Sequence, residues 1–259
     1  MTVADLLAGK GTRQLSMLNV TSVDEAAAAQ AAGVDLLSIH SDSWSPDHRQ
    51  AAPDAFVCVG LPYGVLVTAE DYLRAAFRVL GTGADSVYCA AGLEIVRVLR
   101  GEGVPVCGHT GLIPSHRTWT GGFRAVGKTT DSALEVYRQV KALEAAGAFA
   151  AEIEVVPERV ATEISRRTSM LLISMGSGSG CDAQYLFAED VLGATTGHVP
   201  RHARQYRDFT AEYARLQLER VATFTEFADD VKVGAYPAAG HSVRITDDQF
   251  GSFLDALPD

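Results

Sequence analysis

The chain has 259 residues and a formal net charge of −10, from 22 basic and 32 acidic residues. That balance argues against nucleic acid or an anionic membrane as the main partner, because neither gains from meeting an acidic surface. With 47% hydrophobic and 21% charged residues, the composition is that of a soluble globular protein long enough for one α/β barrel domain.

The four cysteines, Cys58, Cys89, Cys107 and Cys181, show neither CxxC nor metal-finger spacing. Three sit in apolar runs, where cysteine behaves as a small hydrophobe. The opening TVADLLAGKG lacks the basic start and apolar core of a signal peptide, and no apolar run approaches the roughly 18 residues of a membrane span. The expectation is a reduced, cytoplasmic protein whose partner is a small molecule.

Apolar runs of strand length alternate with amphipathic stretches along the chain. The predicted strands are 15–20, 34–40, 55–60, 84–90, 104–108, 149–155, 170–175 and 190–195. Helix-like segments lie between them at 22–33, 69–83 and 132–147, and each ends at a glycine (Gly33, Gly83, Gly147) directly before a strand. Near-continuous apolar strands alternating with helices predict a parallel sheet covered on both faces. Eight of them favour a closed (β/α)8 barrel over an open doubly wound sheet, which would want GxGxxG after the first strand. No linker divides the chain, so residues 1–259 read as a single barrel domain. The helical tail, about 204–259, exceeds what closure needs and is expected to pack on a neighbouring subunit of a homo-oligomer.

Active sites of such barrels lie where the C-terminal strand ends meet the following loops. The predicted ends offer His40, Asp42 and Ser43, then Gly60, then Tyr88 and Cys89, then His109, Glu154, Gly176 and Ser177, and finally Thr195 and His198. Glu154, closing an apolar strand before Val-Val-Pro, is the candidate base for removing a proton beside a carbonyl. The alternative is a carboxylate that pairs with an arginine or caps the next helix. Glu152 is expected on the opposite face, in a structural role. His109, between Gly108 and Thr110-Gly111, is able to donate to a developing oxyanion or bind a carboxylate, or else is a satisfied loop histidine.

His40 and Asp42 flank Ser41 and have the spacing to share a divalent metal, but two ligands do not make a site. A third would have to come from Cys89, His109 or Glu154. The run SMGSGSGCD (174–182), which contains Ser177, offers main-chain N–H groups to a carboxylate or phosphate, or is a turn onto a helix capped by Asp182. It lacks the GK[ST] of a nucleotide loop. Arg124 and Lys128, in a longer loop after strand five, either meet an anionic substrate tail or are solvated.

Several segments together resemble one family. VPVCGHTGLIPSHRTWTGGFRAVGK (104–128), EIEVVPERVATEIS (152–165), LGATTGHVPRHARQY (192–206) and VGAYPAAGHS (233–242) are similar in order to the motifs of the ketopantoate hydroxymethyltransferases. SIHSDSW (38–44) and VGLPYG (59–64) correspond more loosely. The resemblance runs from about residue 10 to 242. It implies a barrel of the phosphoenolpyruvate/pyruvate type, usually a homo-oligomer. It also implies an enzyme that deprotonates C3 of 2-oxoisovalerate and adds the enolate to a one-carbon unit from methylenetetrahydrofolate, with Mg2+ holding the keto acid. On that pattern Glu154 is the base, His109 lies beside the substrate, and Asp42 and Ser43 occupy the Asp-Ser positions.

The departures are as informative. The family's second metal aspartate falls on Gly60, and its strand-four lysine and glutamate fall on Tyr88 and Ala90. Asp42 alone would hold Mg2+ weakly, so these departures weigh against the Mg2+ and the folate that the resemblance implies. Tyr88 is then a candidate hydrogen-bond donor to an enolate oxygen. Three readings remain open: an aldol-type enzyme on a 2-oxo acid, a metal-independent enzyme on another substrate, and a binding protein without chemistry.

Overall fold

The computed structural model describes residues 1–258. Residues 1–207 form one compact unit, and a second begins at residue 208. In the first, eight parallel strands close into a barrel in chain order. They are β1 (Leu15–Asn19), β2 (Leu36–His40), β3 (Phe56–Gly60), β4 (Ser86–Tyr88), β5 (Val106–Gly111), β6 (Ala150–Glu154), β7 (Leu171–Met175) and β8 (Ala183–Phe187). The helices are α1 (Val3–Ala8), α2 (Val23–Ala31), α3 (Pro46–Ala51), α4 (Ala69–Gly81), α5 (Leu93–Gly101) and α6 (Arg117–Thr120). They continue with α7 (Thr130–Ala145), α8 (Glu158–Ser165), α9 (Ala188–Leu192), α10 (Phe209–Val233) and α11 (Asp247–Asp255).

Side chains alternate along each strand, so the barrel has two cores. Leu37, Ile39, Val57, Val59 and Ile153 face outward into a fully buried layer shared with the helices. Met17, Leu36, Phe56, Cys58, Cys107 and Leu171 fill the interior, and Leu6 of α1 joins them from below to plug the end where the strands begin. Apolar packing thus occupies the lower half of the bore and leaves polar residues for the upper half. The helix starts follow their local chemistry: Ser22, Thr68 and Thr129 each accept a hydrogen bond from the third residue of the helix that follows.

The eighth predicted strand, 190–195, is corrected. That segment is the end of α9 and the turn after it, where Gly193 adopts a left-handed conformation. The strand is AQYLF instead, in register with β1 from Leu15↔Ala183 to Asn19↔Phe187. Residues 176–182 therefore lead straight into β8 and not onto a helix. Asp182 caps no helix. Its carboxylate accepts from Leu172 N at 2.8 Å and from Lys10 Nζ at 2.5 Å. Thr195 and His198 lose their expected positions at a strand end, and Thr195 Oγ1 donates to Asp190 at 2.5 Å.

In the second unit, α10 is capped at its start by Asp208, whose side chain accepts from Ala211 N, and at its end by left-handed Gly234. None of its residues is buried, and Leu218, Val221, Phe224 and Phe227 are exposed. No helix of the described residues is long and apolar enough to cross a membrane.

Candidate active site

Strands β5 and β6 pair with His109 opposite Glu152 and Gly111 opposite Glu154. Tyr88 ends β4, beside Cys107. This register brings Tyr88, His109, Glu152 and Glu154 together inside the barrel near the strands' C-terminal ends. Tyr88 Oη lies 2.7 Å from His109 Nδ1. Glu152 Oε2 lies 3.4 Å from the same nitrogen, and Glu154 Oε2 lies 3.3 Å from Nε2. The imidazole is 2% exposed, Glu152 5% and Glu154 12%, so Glu154 is the carboxylate a ligand reaches first.

The tautomer follows from geometry. Nε2 lies 2.8 Å from the Leu112 carbonyl oxygen, which only accepts, so Nε2 carries a proton. Burial works against a charged ring, yet Glu152 and Glu154 overcome it and raise His109 from 6.5 to about 9. Burial also pushes the Glu152 carboxyl up, opposed by His109. Tyr88 is held well above its ordinary value by burial and then by the charge of Glu152, so it remains a phenol with a proton to donate.

The tip of β6 is clamped. Ser177 Oγ donates to Ile153 O at 2.8 Å and accepts from Val156 N at 2.9 Å. Leu112 N donates to Glu154 O, and Val155 N donates to Met175 O. Val155 itself has φ 48°, a costly conformation for a β-branched residue, directly after the candidate base. Strain there is sustained by the bonds on either side.

Four expectations change. Glu152 shares a face with Glu154, since residues two apart on a strand point the same way, and it belongs to the site. Ser177 is fully buried with its hydroxyl committed to two main-chain groups, so it positions the β6 tip and does not reach a ligand. Cys89, next to Tyr88 on the chain, points the other way into the helix-facing core, where burial pushes its thiol up to about 11. Asp42 lies in solvent, 80% exposed, with Oδ2 3.4 Å from His40 Nδ1.

His40 pairs with Gly60, and Gly60 with Tyr88, so the wall between the two side chains is bare. Mg2+ asks for several hard oxygen donors in near-octahedral array. Asp42 is solvated, and Gly60 and Ala90 bring no side-chain oxygen. Glu152 and Glu154 lie on opposite nitrogens of the His109 ring and pair with it, and among the described residues no three His, Cys, Asp or Glu side chains are placed to hold a metal. The residues present do not fit a protein-held Mg2+.

Sequence reasoning also passed over Tyr185. It is buried among the residues of the barrel interior, and its phenol is pushed up by burial and by Glu152. The alternation in AQYLF would have found it. An open groove of about 1380 Å³ between α7 and α8 contains none of these residues.

Fold and site together define a (β/α)8 barrel with a carboxylate–imidazole–phenol cluster at its catalytic end. Residues 47–239 match the ketopantoate hydroxymethyltransferase family, and the chain belongs to it. It is 36% identical to the 3-methyl-2-oxobutanoate hydroxymethyltransferase of Deinococcus radiodurans, over 90% of this chain and 89% of that protein. It is 33% identical to the enzyme of that name from Thermus thermophilus, over 93% and 98% of the respective chains, and 32% identical to that of Kosmotoga olearia, over 92% and 95%. The fold is similar to a 2,3-dimethylmalate lyase of the PEP mutase/isocitrate lyase superfamily, with a TM-score of 0.55 and 13% identity over 99% of both chains. It is also similar to a phosphonomutase-like protein of Burkholderia cenocepacia, with a TM-score of 0.54 and 12% identity over 86% of this chain and 99% of that one. The protein is a hydroxymethyltransferase-like enzyme.

Proposed function

We propose that this enzyme makes or breaks a C–C bond beside the carbonyl of a 2-oxo acid through an enolate, with Glu154 as the base. The observation that carries this is the convergence of Glu154 and His109, 3.3 Å apart, with Tyr88 on the ring's other nitrogen. In the synthetic direction, Glu154 takes the proton from the carbon next to the carbonyl. The C–H electron pair forms the enolate, and negative charge gathers on the former carbonyl oxygen. Tyr88 supplies the donor that oxygen needs, and His109, whose two nitrogens face Tyr88 and the Leu112 carbonyl, holds that phenol in place. The enolate carbon then attacks the carbon of a formaldehyde equivalent, whose π electrons move to its own heteroatom, and that atom takes up the proton Glu154 removed. Loss of one such donor typically costs about 3 kcal/mol, or roughly a hundredfold in rate.

This reading routes no step through a protein-held metal, because the donors described above do not fit one. The exposed apolar residues of α10 support assembly into a homo-oligomer.

Proton removal needs no folate, so it is tested alone. C3 deuterium exchange of 2-oxoisovalerate is followed in D2O with Mg2+ and with chelator. The expected result is exchange that tolerates chelator and is lost in Glu154→Gln. Exchange that requires Mg2+ would overturn the metal-free part, and exchange that survives Glu154→Gln would overturn the base.

A further inference from the structure

Glu152 has no part in the proton removal just described, yet it is a carboxylate with 5% exposure inside the barrel, and its recorded ion pair is with His109. Isolated buried carboxylates are costly, so its partner determines its state. The groups facing the His109 ring are Tyr88 from β4, Glu152 and Glu154 from β6, and the Leu112 carbonyl beyond β5. Next to Glu152 stand Tyr185 of β8, held protonated by burial and by that carboxylate, and Cys107 of β5, held protonated first by Cys58 and then by burial. Among the described residues, neither Glu152 nor Glu154 has an ion pair with a lysine or arginine.

Two arrangements of protons are possible around Nδ1. If the ring is neutral, its one proton is on Nε2, facing Leu112. Tyr88 then donates its hydroxyl hydrogen to Nδ1, and the Nδ1 lone pair also faces Glu152. If the ring is cationic, Nδ1–H donates to Tyr88 Oη and is attracted by Glu152. The hydroxyl hydrogen of Tyr88 is then released from the ring. Only the second arrangement leaves Tyr88 a donor for anything else.

We propose that Glu152 is a positioning residue that holds His109 as an imidazolium, so that Tyr88 turns its hydroxyl hydrogen away from the ring and towards the oxygen of the bound ligand. This rests on the enolate reading of the site and adds to it a device for aiming one proton. A cationic ring also supplies positive charge beside the wall that Gly60 leaves bare.

The test is nitrogen NMR on 15N-histidine-labelled protein, with the His109 signals identified by their loss in His109→Gln. At about pH 7.5 both ring nitrogens are expected to be protonated in the wild type, and Glu152→Gln should lower the ring's midpoint by about one unit or more. The alkaline limb of 2-oxoisovalerate exchange should move down in pH by the same amount. A purely structural Glu152 would lower stability without moving either midpoint. A neutral ring in the wild type, or an unshifted midpoint in Glu152→Gln, overturns the proposal. Should Glu152→Gln not fold, Glu152→Asp and the wild-type spectrum decide. Absence of exchange at every pH would sink the substrate reading, whereas the ring spectra would still decide the role of Glu152.

Discussion

Gly111 stands so close to Glu154 that a Cβ on it would lie 2.4 Å from the Glu154 carbonyl oxygen. Its φ of 83° is also one that side chains disfavour. Gly111→Ala therefore has to displace the strand end that carries the candidate base. Expected are a stability loss of about 1–3 kcal/mol in urea unfolding and a fall in C3 exchange of about tenfold or more. A variant with unchanged exchange would mean that the β6 tip is not held as described.

Ser177 distinguishes positioning from binding. Ser177→Ala leaves Val156 N buried without its acceptor, which costs about 1–3 kcal/mol. The effect should appear as lowered stability and lowered kcat through a loosened Glu154. A rise in KM alone, with stability intact, would return the hydroxyl to the substrate.

Stability should fall as the solution becomes alkaline. His109 is raised to about 9 in the folded chain from 6.5, so its contribution is complete below about 6.5 and is lost as pH rises through 9. Denaturation midpoints from pH 6 to about 10 should decline in the wild type, and less steeply in His109→Gln. Parallel profiles would contradict the buried cluster.

At the acid end a different group acts. Burial would raise the Glu144 carboxyl, but Lys141, Ser169 and Thr168 more than offset it and lower it to about 2. Its Oε1 accepts from Ser169 N and Ser169 Oγ, both at 2.6 Å, tying α7 to the start of β7. This contribution is present above 4.5 and is lost as pH falls through about 2. Glu144→Gln should flatten that acid limb, and an unchanged acid profile would refute the assignment.

All four cysteines are buried and unpaired. Cys89 and Cys181 are raised to about 11 and about 12, mainly by burial. Iodoacetamide at about pH 8 should leave both unmodified in the folded chain and reach them only in denaturant. Rapid labelling of Cys89 would place it back at the ligand.

Much of the architecture was legible because periodic burial is a local property. Runs such as AFVCVG and AEIEV announce strands covered on both faces, and Gly33, Gly83 and Gly147 do take the positive φ that ends a helix before a strand. Strand eight was misplaced because AQYLF carries a polar glutamine and follows a glycine-serine run, whereas DVLGAT has the apolar look of its neighbours. Only pairing with β1 distinguishes them.

The chain order of residues, by itself, determined that a barrel would form and that Glu154 would stand at a strand end, since both follow from hydrophobic period and turn chemistry; His109, expected in the loop after strand five, lies within β5, which runs on to Gly111. Chain order did not determine that Cys89 faces away, that Ser177 spends its hydroxyl on the backbone, or that Glu152, Tyr88 and His109 interlock. Those depend on closure and shear of the sheet, which set residues distant in sequence opposite one another. Once a carboxylate, an imidazole and a phenol share a dry bore, distances of about an ångström and the burial around them decide where each proton sits.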